Sequence, residues 1–160
     1  MIEYNRVELG KAAKERGFVR DTFEKVLRLK EILRYFNEDK YLKEHLVLKG
    51  GTAINMTIFN LPRLSVDIDM DFTPNYSKAD TEVNRKEITE RLQRYMQEEG
   101  YHLSESSRYS HSLDSFLFQY QNAGGNRDNI KVEINYSLRS HIFAPVERKI
   151  VTDAFDDSME

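Results

Sequence analysis

The chain has 160 residues, 39% of them hydrophobic and 32% charged, with no cysteine and a formal net charge of −3 at pH 7. This length and composition are typical of one globular domain with a substantial core. The lack of cysteine excludes disulfides, thiolate nucleophiles and cysteine-ligated zinc sites, and the negative charge disfavours a protein that coats nucleic acid by charge alone. No apolar run approaches the roughly 20 residues that cross a bilayer, and no signal peptide is apparent, so we predict a cytoplasmic protein that does not interact with membranes.

Helices are predicted for most of residues 1–44. Residues 1–17 are expected to form a short helix or a loose arm. A second helix is predicted over about 21–36, because its apolar residues fall on one helical stripe. Asp21, followed three residues later by Glu24, resembles a capping box at the start of this helix.

A short strand is predicted over 45–49, and a glycine turn follows it at Gly50, Gly51 and Thr52. An apolar helix is predicted to begin at Ala53. The next strand, over 65–72, has the sequence SVDIDMDF and alternates strictly between apolar and acidic residues. This alternation predicts that Val66, Ile68, Met70 and Phe72 point to one face and Asp67, Asp69 and Asp71 to the other.

A long helix is predicted over 80–99 and ends before Gly100. Residues 101–108 are a further strand candidate. Two alternating segments, 115–121 and 130–136, predict strands that are joined by a loop rich in glycine and asparagine. We therefore expect residues 1–160 to form one domain that contains both helices and strands, with its helical N-terminal segment at about 1–44.

The aspartates at 67 and 69 are the first candidates for chemistry. Ionised carboxylates on the same strand face repel each other unless water or a cation separates them, and oxygen ligands are what Mg²⁺ prefers. Two such ions about 3.5–4 Å apart can share an aspartate and hold a phosphoryl group. A pattern this short is also compatible with a merely acidic, solvated strand face.

The glycine turn is the second candidate. A helix N-terminus presents unpaired amides that favour phosphate, and glycine lets a phosphate approach the backbone. Gly50, Gly51 and Thr52 are therefore predicted to bind phosphate, and the alternative is a tight turn that Thr52 merely caps. The turn is not a Walker A loop, because Lys49 precedes the glycines instead of following them.

Glu133 and Lys131 share the outward face of the strand predicted over 130–136. We include Lys131 among the candidate binding residues, and the alternative is that both side chains are ordinary solvated surface residues. Arg63 and Ser65 lie just before the acidic strand and are weaker candidates for phosphate contacts. The four histidines show no metal-ligand pairing, and no G-x-S-x-G nucleophile motif is present.

Four segments together resemble a known family: FEKVLRLKEIL, LVLKGGTAIN, LPRLSVDIDMDF and IKVEINYSLR. A glycine pair with Ser or Thr, a spacer and D-x-D resembles the first motif of the DNA polymerase β-like nucleotidyltransferase superfamily. The finer text is similar to the AbiEii/AbiGii-type toxins of toxin–antitoxin and phage-defence systems. The resemblance covers about residues 18–142.

This resemblance implies an α+β nucleotidyltransferase fold, a mixed sheet flanked by helices. Gly50, Gly51 and Thr52 would hold the triphosphate of a nucleoside triphosphate (NTP), and Asp67 and Asp69 would bind two Mg²⁺ ions. Glu133 would be the third catalytic and metal-binding carboxylate. Asp71 would lie next to the metal ligands and contact them without binding the metal itself. The acceptor of the nucleotidyl group would be a tRNA or a protein, and a cognate antitoxin encoded nearby would be the partner.

The chain departs from the family in one respect. Such toxins continue into a helical C-terminal half with a lysine-containing motif, and no counterpart occurs before residue 160. Residues 151–160 carry four acidic and no basic side chains, so we expect a chain truncated before that domain, which by itself could be inactive. Two alternatives stay open: a non-catalytic nucleotide-binding module that docks a partner, and a metal-dependent phosphodiesterase.

Overall fold

The computed structural model describes residues 3–49 and 67–137, in which four helices accompany a mixed six-stranded sheet. The helices are α1 (Arg6–Glu15), α2 (Arg20–Glu38), α3 (Lys40–His45) and α4 (Lys78–Glu98). The strands are β1 (Leu46–Lys49), β2 (Asp67–Phe72), β3 (His102–Leu103), β4 (Arg108–Tyr109), β5 (Leu113–Gln121) and β6 (Arg127–Asn135). The predicted α+β class is confirmed.

Helix α2 occupies the predicted region, but the predicted capping box is wrong. The N-cap is Val19, whose side chain makes no capping hydrogen bond, and Asp21 lies in the first turn beside Arg20. Glu24 is 1% exposed, and its two carboxylate oxygens accept hydrogen bonds from the Ala123 amide at 2.9 and 3.2 Å. Glu24 therefore fastens α2 to the β5–β6 hairpin instead of capping its own helix.

Helix α3 lies almost wholly within the predicted helical segment, but it was not predicted as a separate helix, because its six residues carry almost no periodic signal. Asp39 begins it by accepting a hydrogen bond from the Leu42 amide at 3.0 Å. The Asp39 carboxylate also accepts from Arg91 of α4 at 3.0 Å. Asp39 therefore follows the last residue of α2, caps the N-terminus of α3 and links both helices to α4.

The order of strands in the sheet is β1-β2-β6-β5-β3, and β4 also pairs with β5. Strands β2 and β6 are parallel, whereas β1 with β2 and β5 with β6 are antiparallel. The β5–β6 hairpin was predicted, and Gly125 in its turn has a φ of 87°, a conformation that glycine adopts without steric cost. Residues 101–108 are a strand only at their two ends, with a turn between β3 and β4.

One hydrophobic core joins the helices to one face of the sheet. On β2, Ile68, Met70 and Phe72 are at most 4% exposed, as the predicted alternation requires, but Asp71 is buried as well, and Val66 lies outside the described residues. On β5 and β6 the buried residues also alternate, and their intervening side chains are half-buried or exposed. We call this second face of the sheet, which carries Lys49, Asp67, Asp69, Ser115, Lys131 and Glu133, the polar face.

Candidate active site

The polar face brings Asp69 and Glu133 together. Asp69 of β2 and Glu133 of β6 are direct partners in the parallel register, and Asp67 is the partner of Lys131 two residues earlier. Neighbouring strands lie about 4.7–4.9 Å apart, so side chains at partnered positions on one face are close neighbours. The three predicted carboxylates and Lys131, all of them predicted site residues, therefore lie on two adjacent strands.

The same register extends over four strands. Lys49 of β1 is the partner of Asp69, Asp69 is the partner of Glu133, and Glu133 is the partner of Ser115 on β5. We call this set the four-strand row: Lys49, Asp69, Glu133 and Ser115. Its two acidic members lie at the centre, with a basic residue at one end and a hydroxyl at the other.

The surroundings of Asp69 favour its protonated form. Burial raises the pKa of Asp69, and the neighbouring charges of Glu133 and Asp67 raise it further. Lys49 acts in the opposite direction without reversing the shift. A carboxyl group with this surplus of negative neighbours is a place where a cation would be stabilised.

Glu133 is shifted the other way. Its Oε1 atom lies 2.7 Å from Nζ of Lys131 and accepts a hydrogen bond from the Ser115 hydroxyl at 3.3 Å. The contact with Lys131 is the main reason that the pKa of Glu133 is lowered, and the same contact raises the pKa of Lys131. The pKa values of these two facing carboxyl groups are therefore shifted in opposite directions.

Asp71, the third aspartate of β2, has a different environment from the other two. It is 6% exposed, and its Oδ1 atom lies 2.5 Å from Nζ of Lys49. The contact lacks hydrogen-bond geometry, so we treat it as an ion pair. Asp71 thus holds the side chain of the residue that immediately precedes the glycine turn in the sequence.

In residues 3–49 and 67–137, no group of three or more acidic or histidine side chains is arranged to hold a metal ion. Lys131 and Lys49 instead neutralise part of the acidic charge. The facing pair Asp69 and Glu133 nevertheless fits Mg²⁺ chemically, because this ion is commonly bound by one or two carboxylates and keeps several waters. A bound ion would replace the lysine contacts as the balancing charge.

Gly50, Gly51 and Thr52, predicted to bind the triphosphate, lie outside the described residues, as do Arg63 and Ser65. Lys49 is the nearest described residue, and it lies opposite Asp69. The sequence analysis did not identify Lys49 or Ser115 as members of the site. The alternation of β5 places Ser115 outward, but only the strand register shows that it faces Glu133.

Comparison with known families identifies the family of this chain. A family model described as nucleotidyl transferase AbiEii toxin, type IV TA (toxin–antitoxin) system, matches residues 31–160. The chain belongs to the AbiEii nucleotidyl transferase toxin family. No curated protein and no solved structure matched it.

Membership of the AbiEii family confirms the resemblance on which the site assignments were built. It indicates a nucleotidyl transferase that acts as a toxin, with an antitoxin as its counterpart and an NTP as its substrate. Among the described helices of this AbiEii-family chain, none is long and apolar enough to cross a membrane.

Proposed function

We propose that this protein transfers a nucleotidyl group from an NTP to an acceptor in a Mg²⁺-dependent reaction on the polar face of its sheet. The observation that carries the proposal is the register of β2 and β6, in which Asp69 and Glu133 are direct partners and Asp67 lies two residues away on the same face. In a chain of the AbiEii family, this is the arrangement expected of catalytic carboxylates. We propose Asp67, Asp69 and Glu133 as the metal-binding and catalytic residues.

In the proposed reaction, an oxygen of the acceptor attacks the α-phosphorus of the NTP. The bond between that phosphorus and the bridging oxygen of the β-phosphate breaks, and pyrophosphate leaves. Bound Mg²⁺ would supply positive charge to the phosphate oxygens and lower the pKa of the acceptor hydroxyl. The protein contributes mainly positioning and charge neutralisation.

The carboxylates differ in what they can contribute. Because Lys131 holds the pKa of Glu133 low, Glu133 suits the role of an ionised oxygen ligand better than that of a proton acceptor. Asp69 has a raised pKa in the absence of a cation, and a bound Mg²⁺ would stabilise its ionised form. Metal binding at this pair is therefore expected to lower the pKa of Asp69.

We assign the triphosphate to Gly50, Gly51, Thr52 and Lys131. Lys131 is paired with Glu133 but remains 39% exposed, so its ammonium group can turn towards a phosphate oxygen. Lys49 lies beside Asp69 immediately before Gly50, which supports a phosphate-binding role for the turn that follows. We further propose residues 1–160 as one nucleotidyltransferase core, tRNA or protein as the acceptor, and the cytoplasm as the location.

The test uses the full chain with each of the four NTPs labelled at the α-phosphate, Mg²⁺, and total tRNA or cell protein as acceptor. We expect label to enter one acceptor class, and Asp67→Asn and Asp69→Asn to reduce transfer at least about 100-fold, because removing one electrostatic contact in a catalytic site typically costs this much. Asp80→Asn, the same change at an exposed residue in the first turn of α4, is the matched control and should keep wild-type activity. No transfer by the wild type, or full transfer by Asp69→Asn, would refute the proposal.

Two outcomes of this assay would identify the alternatives. Nucleotide binding without transfer to any acceptor indicates a binding module that acts through a partner. Release of monophosphates from RNA when no NTP is added indicates phosphodiester hydrolysis by the same carboxylates.

A further inference from the structure

Ser115 lies at the end of the four-strand row and contacts the third carboxylate of the proposed site. It is the direct partner of Glu133 in the antiparallel register of β5 and β6. The two neighbours of Ser115 in the sequence, Asp114 and Phe116, are 4% and 0% exposed, so the alternation of β5 directs Ser115 to the polar face. The Ser115 hydroxyl donates to Oε1 of Glu133 at 3.3 Å.

The position of Ser115 is set by a long hairpin. Strands β5 and β6 pair continuously from Leu113 with Asn135 to Gln121 with Arg127. Moving Ser115 away from Glu133 would require a change of register that also moves Phe116 and Val132 out of the core. The serine hydroxyl is therefore a fixed donor, with only its own rotation free.

Glu133 Oε1 has a second donor, Lys131, but that contact is not fixed in the same way. The Lys131 side chain is 39% exposed and has a flexible stem, and in the proposed function its ammonium group moves to the triphosphate. When it does so, Ser115 remains as the contact on Oε1. Ser115 and Lys131 both contact Oε1, and Glu133 also shares a side-chain hydrogen bond with Asp69, the contact that a cation bound between the two carboxylates would replace.

We propose that Ser115 is a positioning residue, which holds Oε1 of Glu133 while Lys131 contacts the nucleotide and thereby keeps the Glu133 carboxylate facing Asp69, where the two can bind a divalent cation. This inference rests on the proposed function, because it takes Glu133 to be a metal ligand. A neutral, short hydroxyl suits the task, since it orients a carboxylate without competing with the cation for its charge. Hydrogen bonds of this kind to metal ligands typically change metal affinity 10- to 100-fold when removed.

The experiment measures Mn²⁺ binding to the full chain from the signal of free Mn²⁺ in electron paramagnetic resonance, with and without a non-hydrolysable NTP analogue. Ser115→Ala is expected to weaken Mn²⁺ affinity about tenfold, with the larger loss when the analogue is present and Lys131 is engaged. Ser115→Thr keeps the hydroxyl and should stay within about twofold of the wild type. Ser112→Ala, the same change just before β5, is the matched control and should bind Mn²⁺ as the wild type does.

Three results would overturn the inference: wild-type affinity in Ser115→Ala, an equal loss in Ser115→Thr, or no Mn²⁺ binding by the wild type. If Ser115→Ala fails to fold by circular dichroism, Ser115→Cys decides, because it has a similar volume and only a weak donor. Wild-type Mn²⁺ affinity in Ser115→Cys would then refute the role. A wild type that binds Mn²⁺ with this dependence on Ser115 but transfers no nucleotide would refute the proposed function and leave the positioning of Glu133 intact.

Discussion

Arg85 of α4 fixes the start of β5, the strand that carries Ser115. Its guanidinium donates to both carboxylate oxygens of Asp114, at 3.0 Å from Nε and 2.5 Å from Nη2. It also donates to the main-chain oxygens of Ser110 and His111, at 2.7 and 2.8 Å, and lies 4.9 Å from the centre of the Tyr136 ring. The ion pair is largely shielded from solvent, since the side chains of Arg85 and Asp114 are 13% and 5% exposed.

Replacing Arg85 with Met keeps most of the packing volume but leaves the Asp114 carboxylate buried without its cation. Breaking a buried pair from one side costs about 3–5 kcal/mol, more than the pair itself contributes, because the remaining charge stays desolvated. We expect Arg85→Met to lower the free energy of unfolding by this amount. At roughly 2–4 °C per kcal/mol for a chain of this size, Tm should fall by about 10 °C.

Urea denaturation followed by circular dichroism measures this loss directly from the change in midpoint at constant slope. Arg85→Lys is the informative comparison. It keeps the charge but cannot form the two-pronged contact with Asp114, so it should fall between the wild type and Arg85→Met.

The double variant Arg85→Met/Asp114→Leu tests the reasoning. If the cost comes from an orphaned charge, removing both partners should recover most of the loss and bring stability to within about 1–2 kcal/mol of the wild type. A double variant as unstable as the sum of the two single variants would show that packing, and not the buried charge, causes the destabilisation. A loss below about 1 kcal/mol in Arg85→Met would refute the burial argument altogether.

Three further predictions concern single side chains. Burial raises the pKa of Asp39, but hydrogen bonds from the Leu42 amide and Arg91 outweigh it, so the net shift of the pKa is downward. In urea titrations, the wild type should therefore have a higher free energy of unfolding than Asp39→Asn at pH 7. This difference should vanish as pH falls below the ordinary value of 3.8. Glu24 has a pKa raised by burial, so the opposite sign is expected: stability relative to Glu24→Gln should be highest below the ordinary value of 4.5 and decline as pH rises through the folded-state pKa. Lys131→Met should raise the KM for the NTP about tenfold, measured in the transfer assay, because a charge-assisted contact to phosphate is lost; an unchanged KM would remove Lys131 from the nucleotide site.

The faces of the strands were predictable, because alternation in β2 and β6 is local. It correctly placed Asp69 and Glu133 on the side opposite the buried residues Ile68 and Val132. The register was not predictable, since β2 and β6 are separated in the chain by α4 and three strands. That Asp69 faces Glu133 depends on this non-local pairing and is visible only in the folded protein.

The errors and omissions have the same origin. Glu24 matched a capping motif in the sequence, but the Ala123 amide, far away in the chain, uses its carboxylate instead. Lys49 and Ser115 carry no motif at all and join the site only through their strand partners. Local sequence patterns therefore identified the acidic residues of the site, whereas Lys49 and Ser115 could be identified only from the pairing of the strands.

Strand β6 is the last of the described strands to be synthesised, yet it lies between β2 and β5. Until it inserts, Asp69 and Ser115 belong to separate pieces of unfinished sheet, and Glu133 has no neighbour on either side. A ribosome-bound or partly digested chain that lacks β6 would therefore hold none of the proposed carboxylate pairing. If these carboxylates carry the proposed reaction, β6 must be in place before it can occur, so we expect a chain that lacks β6 to have no transferase activity.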